Sequence, residues 1–388
     1  MPTTATTKPN TKVALTHLSP LLQDRLITPA LTPHYHAAVT TPWSQTCWTH
    51  AAGYIYPRTV AELAQALAIL TQTHTKFALR ATGHNPNAGF SSADESALVL
   101  DISRFREMEV TADGVARVGA GCTWGELGAV GGMGALPNLY GTGADGVRNY
   151  EVLLADGRVV DANAHENPDL YQALKGGGTN FGIVTRFDLE THPLTPVQYT
   201  IDLYNPDDYT AINGATAAVQ MAMEDDPKIG LSVTTRVSHD LYDRVYQCWI
   251  QLRATLPVGC VLHYTIQPMG TAGVQAGRNR GGNIMGLEEA PQCWWVFTGE
   301  WSRDAGVDVD AAAHRAVRTM AEMVEALARK GGVFLDFKCM NFAGAGQEVL
   351  ASYGAENVRR MRAVADKYDP EGVWQVLQFG GFLLRDSV

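Results

Sequence analysis

Glycine-rich turns that recur at the ends of short apolar strands constrain this chain more than any other feature. They are Gly119-Ala120-Gly121, Gly141-Thr142-Gly143 and Gly176-Gly177-Gly178, the last running on into Asn180-Phe181-Gly182-Ile183-Val184-Thr185. Such turns leave backbone N–H groups unshielded by side chains, so several in succession predict separate loops converging on one anion. Upstream, the apolar strand Phe77-Ala78-Leu79-Arg80 runs into Ala81-Thr82-Gly83-His84-Asn85 and then a polar loop as far as Ser92. Gly83 removes a Cβ just before His84, which opens the main chain to a planar ligand, and Arg80 supplies a fixed positive charge for a phosphate.

Composition narrows the class. With 388 residues and 46% hydrophobic content there is enough apolar surface for two cores of ordinary domain size. The formal net charge of -10, with no compensating Lys/Arg run, argues against a nucleic-acid partner. The polar opening Met1 to Lys8 lacks the apolar stretch of a secretory signal, and no apolar run is long enough to span a bilayer. The expectation is a soluble cytoplasmic enzyme without a membrane partner, its start extended or disordered to about residue 15. Cys47, Cys122, Cys248, Cys260, Cys293 and Cys339 are widely spaced, with no C-x-x-C and no zinc-ligand spacing, and read as buried thiols with no metal.

The first ordered helix is predicted to begin at Thr59, with Glu62 three residues on and Val60, Leu63, Leu67 and Leu70 along one face. Residues 108–118 form a hairpin about Asp113-Gly114, and residues 150–161 a second about Asp156-Gly157, followed by a short helix from Asn167 to Leu174. Gly119, Gly121 and Gly125 imitate a dinucleotide fingerprint, but their spacing departs from G-x-G-x-x-G and they follow a hairpin rather than open a βαβ unit. From about Pro196 the character changes. Long strands at Gly259 to Gln267 and Cys293 to Trp301 alternate with helices near Tyr209 to Met223, Leu241 to Thr255 and Val309 to Lys330. The last of these carries the core stripe Val317, Met320, Val324 and Leu327. A final helix, Ala355 to Lys367, stops before Asp369-Pro370.

These segments fall in a familiar order: Arg80 to His84 with Asp101, then Val118 to Gly125, Asn138-Leu139-Tyr140-Gly141 with Asp145 and Asn149, and Leu154 to Arg158. Asn167 to Leu170, Ala173 to Thr185, Tyr368-Asp369-Pro370 and Gly380-Gly381-Phe382 complete it. The series resembles the FAD-linked oxidases of the vanillyl-alcohol oxidase superfamily, specifically the berberine-bridge-enzyme-like members of fungal secondary metabolism. The resemblance implies an α+β fold: a PCMH-type two-subdomain FAD-binding domain over 1–195, a substrate domain over 196–345 with an antiparallel sheet backed by helices, and a C-terminal return over 346–388. It implies FAD as cofactor, bonded covalently to His84 through its 8α carbon, with Arg80, Thr82, Gly83, Asn85, Gly121, Tyr140, Gly141, Asp145, Asn180, Gly182 and Ile183 around it.

In such enzymes a small-molecule substrate loses hydride to the flavin, and molecular oxygen restores it. Tyr264, Gln267 and Asn341, with Trp294 and Trp301, come from strands expected to line the pocket. One departure stands out. Members carry a loop around the FAD diphosphate just before the Tyr-Gly segment, whereas here Gly131 to Pro137 leads directly into Asn138, and a second shortening follows Lys228-Ile229-Gly230. Two readings follow: an FAD-linked oxidase of a natural-product intermediate, or a flavin-free relative acting as a non-oxidative cyclase or inactive scaffold.

Overall fold

A computed structural model describes residues 8–123, 126, 137–193, 204–222, 233–301 and 306–387. Both expected shortenings, at the Gly131 to Asn138 junction and after Lys228, fall on or against stretches outside the described residues.

From residue 8 onward the start is not extended. Helix α1 (Pro9–Leu22) begins within it, because Ala14, Leu18 and Leu22 recur every fourth residue and are fully buried. Pro20 and other apolar residues off the stripe hid it, and Thr11 is itself buried, its hydroxyl donating to the Ser96 carbonyl at 2.9 Å. After β1 (Leu26–Ile27) comes a second unanticipated helix, α2 (Thr32–Val39). Then follow β2 (Gly53–Ile55), α3 (Val60–Gln72), β3 (Phe77–Arg80) and β4 (Leu98–Asp101). The Thr59 hydroxyl caps α3 by accepting the Glu62 N–H at 3.2 Å, and the Glu62 carboxylate reaches back to the Arg58 N–H at 2.8 Å. Leu63, Ala66, Leu67 and Leu70 then face α1 and a sheet of order β1-β2-β4-β3, in which β2 and β3 run parallel to β4.

A second sheet follows from β5 (Met108–Val110), β6 (Val115–Gly119), α4 (Pro137–Tyr140), β7 (Val147–Leu153), β8 (Val159–Asn163), α5 (Pro168–Leu174) and β9 (Ile183–Glu190). Its order is β5-β6-β9-β7-β8, antiparallel throughout.

The third sheet belongs to the later part of the chain: α6 (Tyr209–Ala222), β10 (Thr234–Arg236), α7 (His239–Arg253), β11 (Val261–Met269), α8 (Thr271–Asn279), β12 (Gln292–Glu300) and α9 (Val307–Lys330). Its strands are antiparallel in the order β10-β12-β11. The register separates two faces. Leu262, Tyr264 and Ile266 pack with Cys293, Trp295 and Phe297 into a core shared with α7 and α9. The opposite face carries His263, Thr265, Gln267 and Met269 beside Trp294, Val296, Thr298 and Glu300. Its inner half, Met269 and Trp294, is buried in the core of the second sheet, and its outer half is exposed.

The chain ends with α10 (Ala355–Tyr368) and α11 (Val373–Leu377). The Asp369 carboxylate accepts the N–H groups of Val373 and Trp374 at 2.9 and 2.8 Å and so starts α11, whose Val373, Trp374 and Leu377 join the core around β3. The Phe379 N–H donates to the Phe77 carbonyl at 2.7 Å. None of the six cysteines is in a disulfide, and only Cys47 and Cys293 are fully buried, which corrects the expectation of six buried thiols. Among the described residues no helix is long and apolar enough to cross a membrane.

Candidate cofactor and substrate site

At the end of β3 the chain separates two adjacent functions. Arg80 is buried, and its guanidinium donates to Asp101 Oδ2 at 2.6 Å, the Ala38 carbonyl at 2.9 Å and the Tyr56 hydroxyl at 3.1 Å, over the Tyr54 ring. This corrects its expected role. The charge is held by Asp101 inside the first sheet and ties β3 to β4, so it is not presented to a phosphate.

Beyond it the chain opens. Gly83 adopts φ +74°, and a Cβ there would stand 3.3 Å from Pro42 Cα, so both conformation and space require glycine. Thr82, His84 and Asn85 are exposed. Among the described residues no acceptor takes the backbone N–H of any of residues 82–85, and neither ring nitrogen of His84 has a hydrogen-bond partner. Trp43 lies against the imidazole, with ring centroids 5.5 Å apart and planes 28° apart. From the other side, Asn87 donates to the Ala343 carbonyl and accepts the Ala345 N–H, both at 2.9 Å. The exposed Asn341 therefore sits on the segment stitched to the His84 loop.

The other glycine turns are closed. A Cβ on Gly119 would lie 2.3 Å from the Phe105 carbonyl oxygen, and one on Gly121 2.7 Å from that of Ile102, so these glycines let two stretches of backbone cross. Their amides are used as well: Gly119 donates to Glu107, Ala120 to Thr185 and Gly121 to Phe105 at 2.8–2.9 Å. Asn180 is fully buried. Its amide nitrogen bonds the Gly177 and Phe382 carbonyls at 2.7 and 2.9 Å, while its oxygen accepts from Leu384 and Gln375. Gly182 is pressed on β7, where a Cβ would meet Val152 Cγ1 at 2.5 Å, and Ile183 is core. Gly121, Asn180, Gly182 and Ile183 thus serve packing and docking of the chain end.

The Tyr140–Asp145 stretch docks the second half of the molecule. Tyr140 stacks on His192 with centroids 3.5 Å apart, and the Arg280 guanidinium lies 5.3 Å from its ring. Gly141, at φ +80°, leaves no room for a side chain beside the Asp145 carboxylate. Asp145 accepts from Thr142 N–H and hydroxyl at 2.8 and 2.7 Å and from Asn283 at 2.9 Å, and Gly277 of α8 is pressed onto it. Close by lies Lys175, fully buried, its ammonium 4.2 Å from the centroid of the Tyr171 ring and without a hydrogen-bond partner. Burial pulls its pKa down to about 8, against the opposing pull of Asp145. Tyr140, Gly141 and Asp145 are among the residues expected from sequence, whereas Lys175, inside the Ala173 to Thr185 segment, carries no expected role of its own.

On the third sheet, Tyr264 lies on the helix-backed face between Trp249 and Trp295, with ring centroids 5.5 and 6.0 Å away, and burial pushes its hydroxyl up to about 12. Its expected place in the pocket is therefore corrected. Gln267 is on the opposite face, its Oε1 buried without a partner, and Thr234 stands two strands away in the same row, across Trp294, with its hydroxyl likewise unpartnered. The exposed half of that face carries His263, Nε2 3.8 Å from Glu300 Oε1. Strand alternation would have found His263, since positions 263, 265 and 267 share a face that 264 cannot.

Comparison with known proteins places this geometry. The family described as FAD binding domain matches residues 51–131, from β2 through the His84 loop to β6 and just beyond. The FAD-dependent monooxygenase AOL_s00215g279 of Arthrobotrys oligospora is 30% identical over 90% of this chain and 85% of its own length. The chain belongs to the FAD-dependent oxidoreductases of which that monooxygenase is a member. The alignment runs over 439 positions, more than the 388 residues of the chain, so the relative has internal segments that this one lacks.

Solved structures show the same fold. The 6-hydroxy-D-nicotine oxidase of Arthrobacter nicotinovorans superposes with TM-score 0.71 at 17% identity, over 93% of this chain and 98% of its own. The glucooligosaccharide oxidase of Acremonium strictum, with 6-S-cysteinyl, 8α-N1-histidyl FAD, gives 0.65 at 16% identity, over 88% and 93%. The protein is an FAD-dependent oxidoreductase, not a flavin-free relative. Its residues fit the cofactor: among the described residues, neither nitrogen of an exposed imidazole nor any of the four backbone N–H groups of residues 82–85 has a hydrogen-bond partner.

Proposed function

We propose that the protein is an oxidase of a small natural-product intermediate, with His84 as the covalent anchor of FAD. The observation that carries this reading is the contrast at β3: Arg80 is closed off, while the imidazole and the N–H groups of residues 82–85 are left open. FAD, when bound, supplies the two-electron acceptor, and oxygen the terminal one. The chain's own part is to hold and orient. Residues 82–85 offer donors to negative charge, and Asn87 links that loop to the segment bearing Asn341.

The face of the third sheet turned away from α7 and α9 takes the substrate. Gln267 presents an acceptor for a hydroxyl, and His263, steadied by Glu300, receives the hydroxyl proton as the substrate carbon is oxidised. Tyr264 is a poor proton acceptor on the wrong face.

The test uses the purified protein. Flavin absorbance that stays with the chain after denaturation, and disappears from it in His84→Ala, supports the anchor; covalent flavin retained in His84→Ala overturns it. Turnover should release one hydrogen peroxide per substrate oxidised, with no atom of labelled oxygen gas in the product. Label in the product would make the reaction a monooxygenation, in keeping with the names of the sequence relatives.

A further inference from the structure

The loop bearing His84 is held by one residue that the proposed function does not use. Trp43 reaches it in three ways. Its indole stacks on the imidazole, its Nε1–H donates to the His84 carbonyl at 2.5 Å, and its backbone N–H donates to the Gly83 carbonyl at 3.3 Å. Both residues of the Gly83-His84 step are thereby gripped from outside the strand that carries them.

The other contacts around the loop do not do this. Asn85 bends back on itself to the Asn87 N–H at 2.9 Å, Cys47 Sγ lies 3.5 Å from the Asn85 carbonyl, and Thr46 donates to the Pro86 carbonyl at 3.3 Å. They fix residues 85–87 and leave the imidazole rotor free. Trp43 is also 63% exposed, an unusual position for the largest apolar side chain unless its site asks for it. An exposed histidine on a loop samples several rotamers, and a flat ring stacked on it removes most of them.

We propose that Trp43 is a positioning residue for covalent attachment of the flavin: it holds the His84 imidazole in the orientation from which a ring nitrogen reaches the 8α carbon. This rests on the reading of His84 as the anchor. In the attachment the nitrogen–carbon bond forms as the imidazole N–H and one methyl C–H give up their hydrogens as two protons. The two electrons left on the ring system pass to molecular oxygen, which takes two protons and leaves as hydrogen peroxide. Trp43 exchanges no proton in this step; its contribution is geometric, and misplacement of a reacting group by about 1 Å is enough to slow a reaction on the order of a hundredfold.

The experiment measures, in wild type, Trp43→Ala, Trp43→Phe and His84→Ala, the flavin that stays on the denatured polypeptide as a fraction of all flavin bound, together with the melting temperature. The covalent fraction should fall about tenfold or more in Trp43→Ala at near-unchanged melting temperature. Trp43→Phe, which keeps the stack and loses the indole donor, should lie between it and wild type. A Trp43→Ala chain that binds FAD with the wild-type covalent fraction overturns the proposal. Should that variant fail to fold, Trp43→Phe decides, and a wild-type covalent fraction there overturns it equally. A wild-type chain that sheds all its flavin on denaturation sinks the His84 reading and this one together. Covalent wild type, bare His84→Ala and unaffected Trp43 variants sink this one alone.

Discussion

The turn after β3 and the turns at Gly119–Gly121 and Gly176–Ile183 look alike in sequence and behave as opposites in the fold. In the first, glycine opens the chain: the amides of residues 82–85 and the ring nitrogens of His84 have no hydrogen-bond partner among the described residues. In the others glycine closes it, letting backbone cross at Phe105 or side chains press in from Val152, with the amides of 119–121 spent on the carbonyls of Phe105, Glu107 and Thr185. A missing Cβ permits close approach, but what approaches is decided by the neighbouring element.

That contrast can be broken experimentally. The largest effect is expected inside the closed part of β3–β4, where Asp101→Ala should destabilise the fold by about 3–5 kcal/mol by leaving the Arg80 guanidinium buried and unpaired. Chemical denaturation checks this, and a loss under 1 kcal/mol would return Arg80 to a ligand role.

Next is Lys175→Met, expected to stabilise by up to about 3 kcal/mol at neutral pH. The folded pKa, about 8, lies below the ordinary 10.5, so the buried charge costs its full amount below pH 8. Wild type should therefore recover relative to the variant as pH rises through that window, and the difference should vanish above 10.5. Paired melts across pH follow it, and a pH-independent difference would mean that Lys175 has a partner after all.

Gly182→Ala should cost about 1–3 kcal/mol through overpacking against Val152 and Leu153 without altering the covalent flavin fraction of what folds. Loss of flavin at full stability would make that turn a ligand loop. Smallest is His84→Ala, within about 0.5 kcal/mol of wild type in the absence of cofactor because the ring is exposed, makes no hydrogen bond among the described residues and touches only the equally exposed Trp43 stack.

Much of the fold was readable from local rules. The Thr59 cap, the two Asp-Gly hairpins, the α9 stripe and the stop before Pro370 rest on interactions within a few residues, which sequence displays directly. Helix α1 was missed because the stripe Ala14, Leu18 and Leu22 is interrupted by Pro20 and by other apolar residues off the stripe, and only α3 and the first sheet give it something to bury against. At the site, His84 was visible as an imidazole after a glycine. Trp43 was not, since 41 residues separate it from its partner and nothing in its own surroundings marks it. Tyr264 was placed on the wrong face because an aromatic on a strand was weighed by type, when its parity relative to Gln267 already put the two on opposite sides.

The sequence by itself determined the family, the α+β class and the cofactor, because those are written in ordered short motifs whose residues act through their immediate neighbours. Only the tertiary structure decided which glycine turns are open, that Arg80 is answered by Asp101, and which side of the third sheet α7 and α9 cover. These are matters of what lies across the gap from a residue, and burial and pairing between distant segments have no local signature.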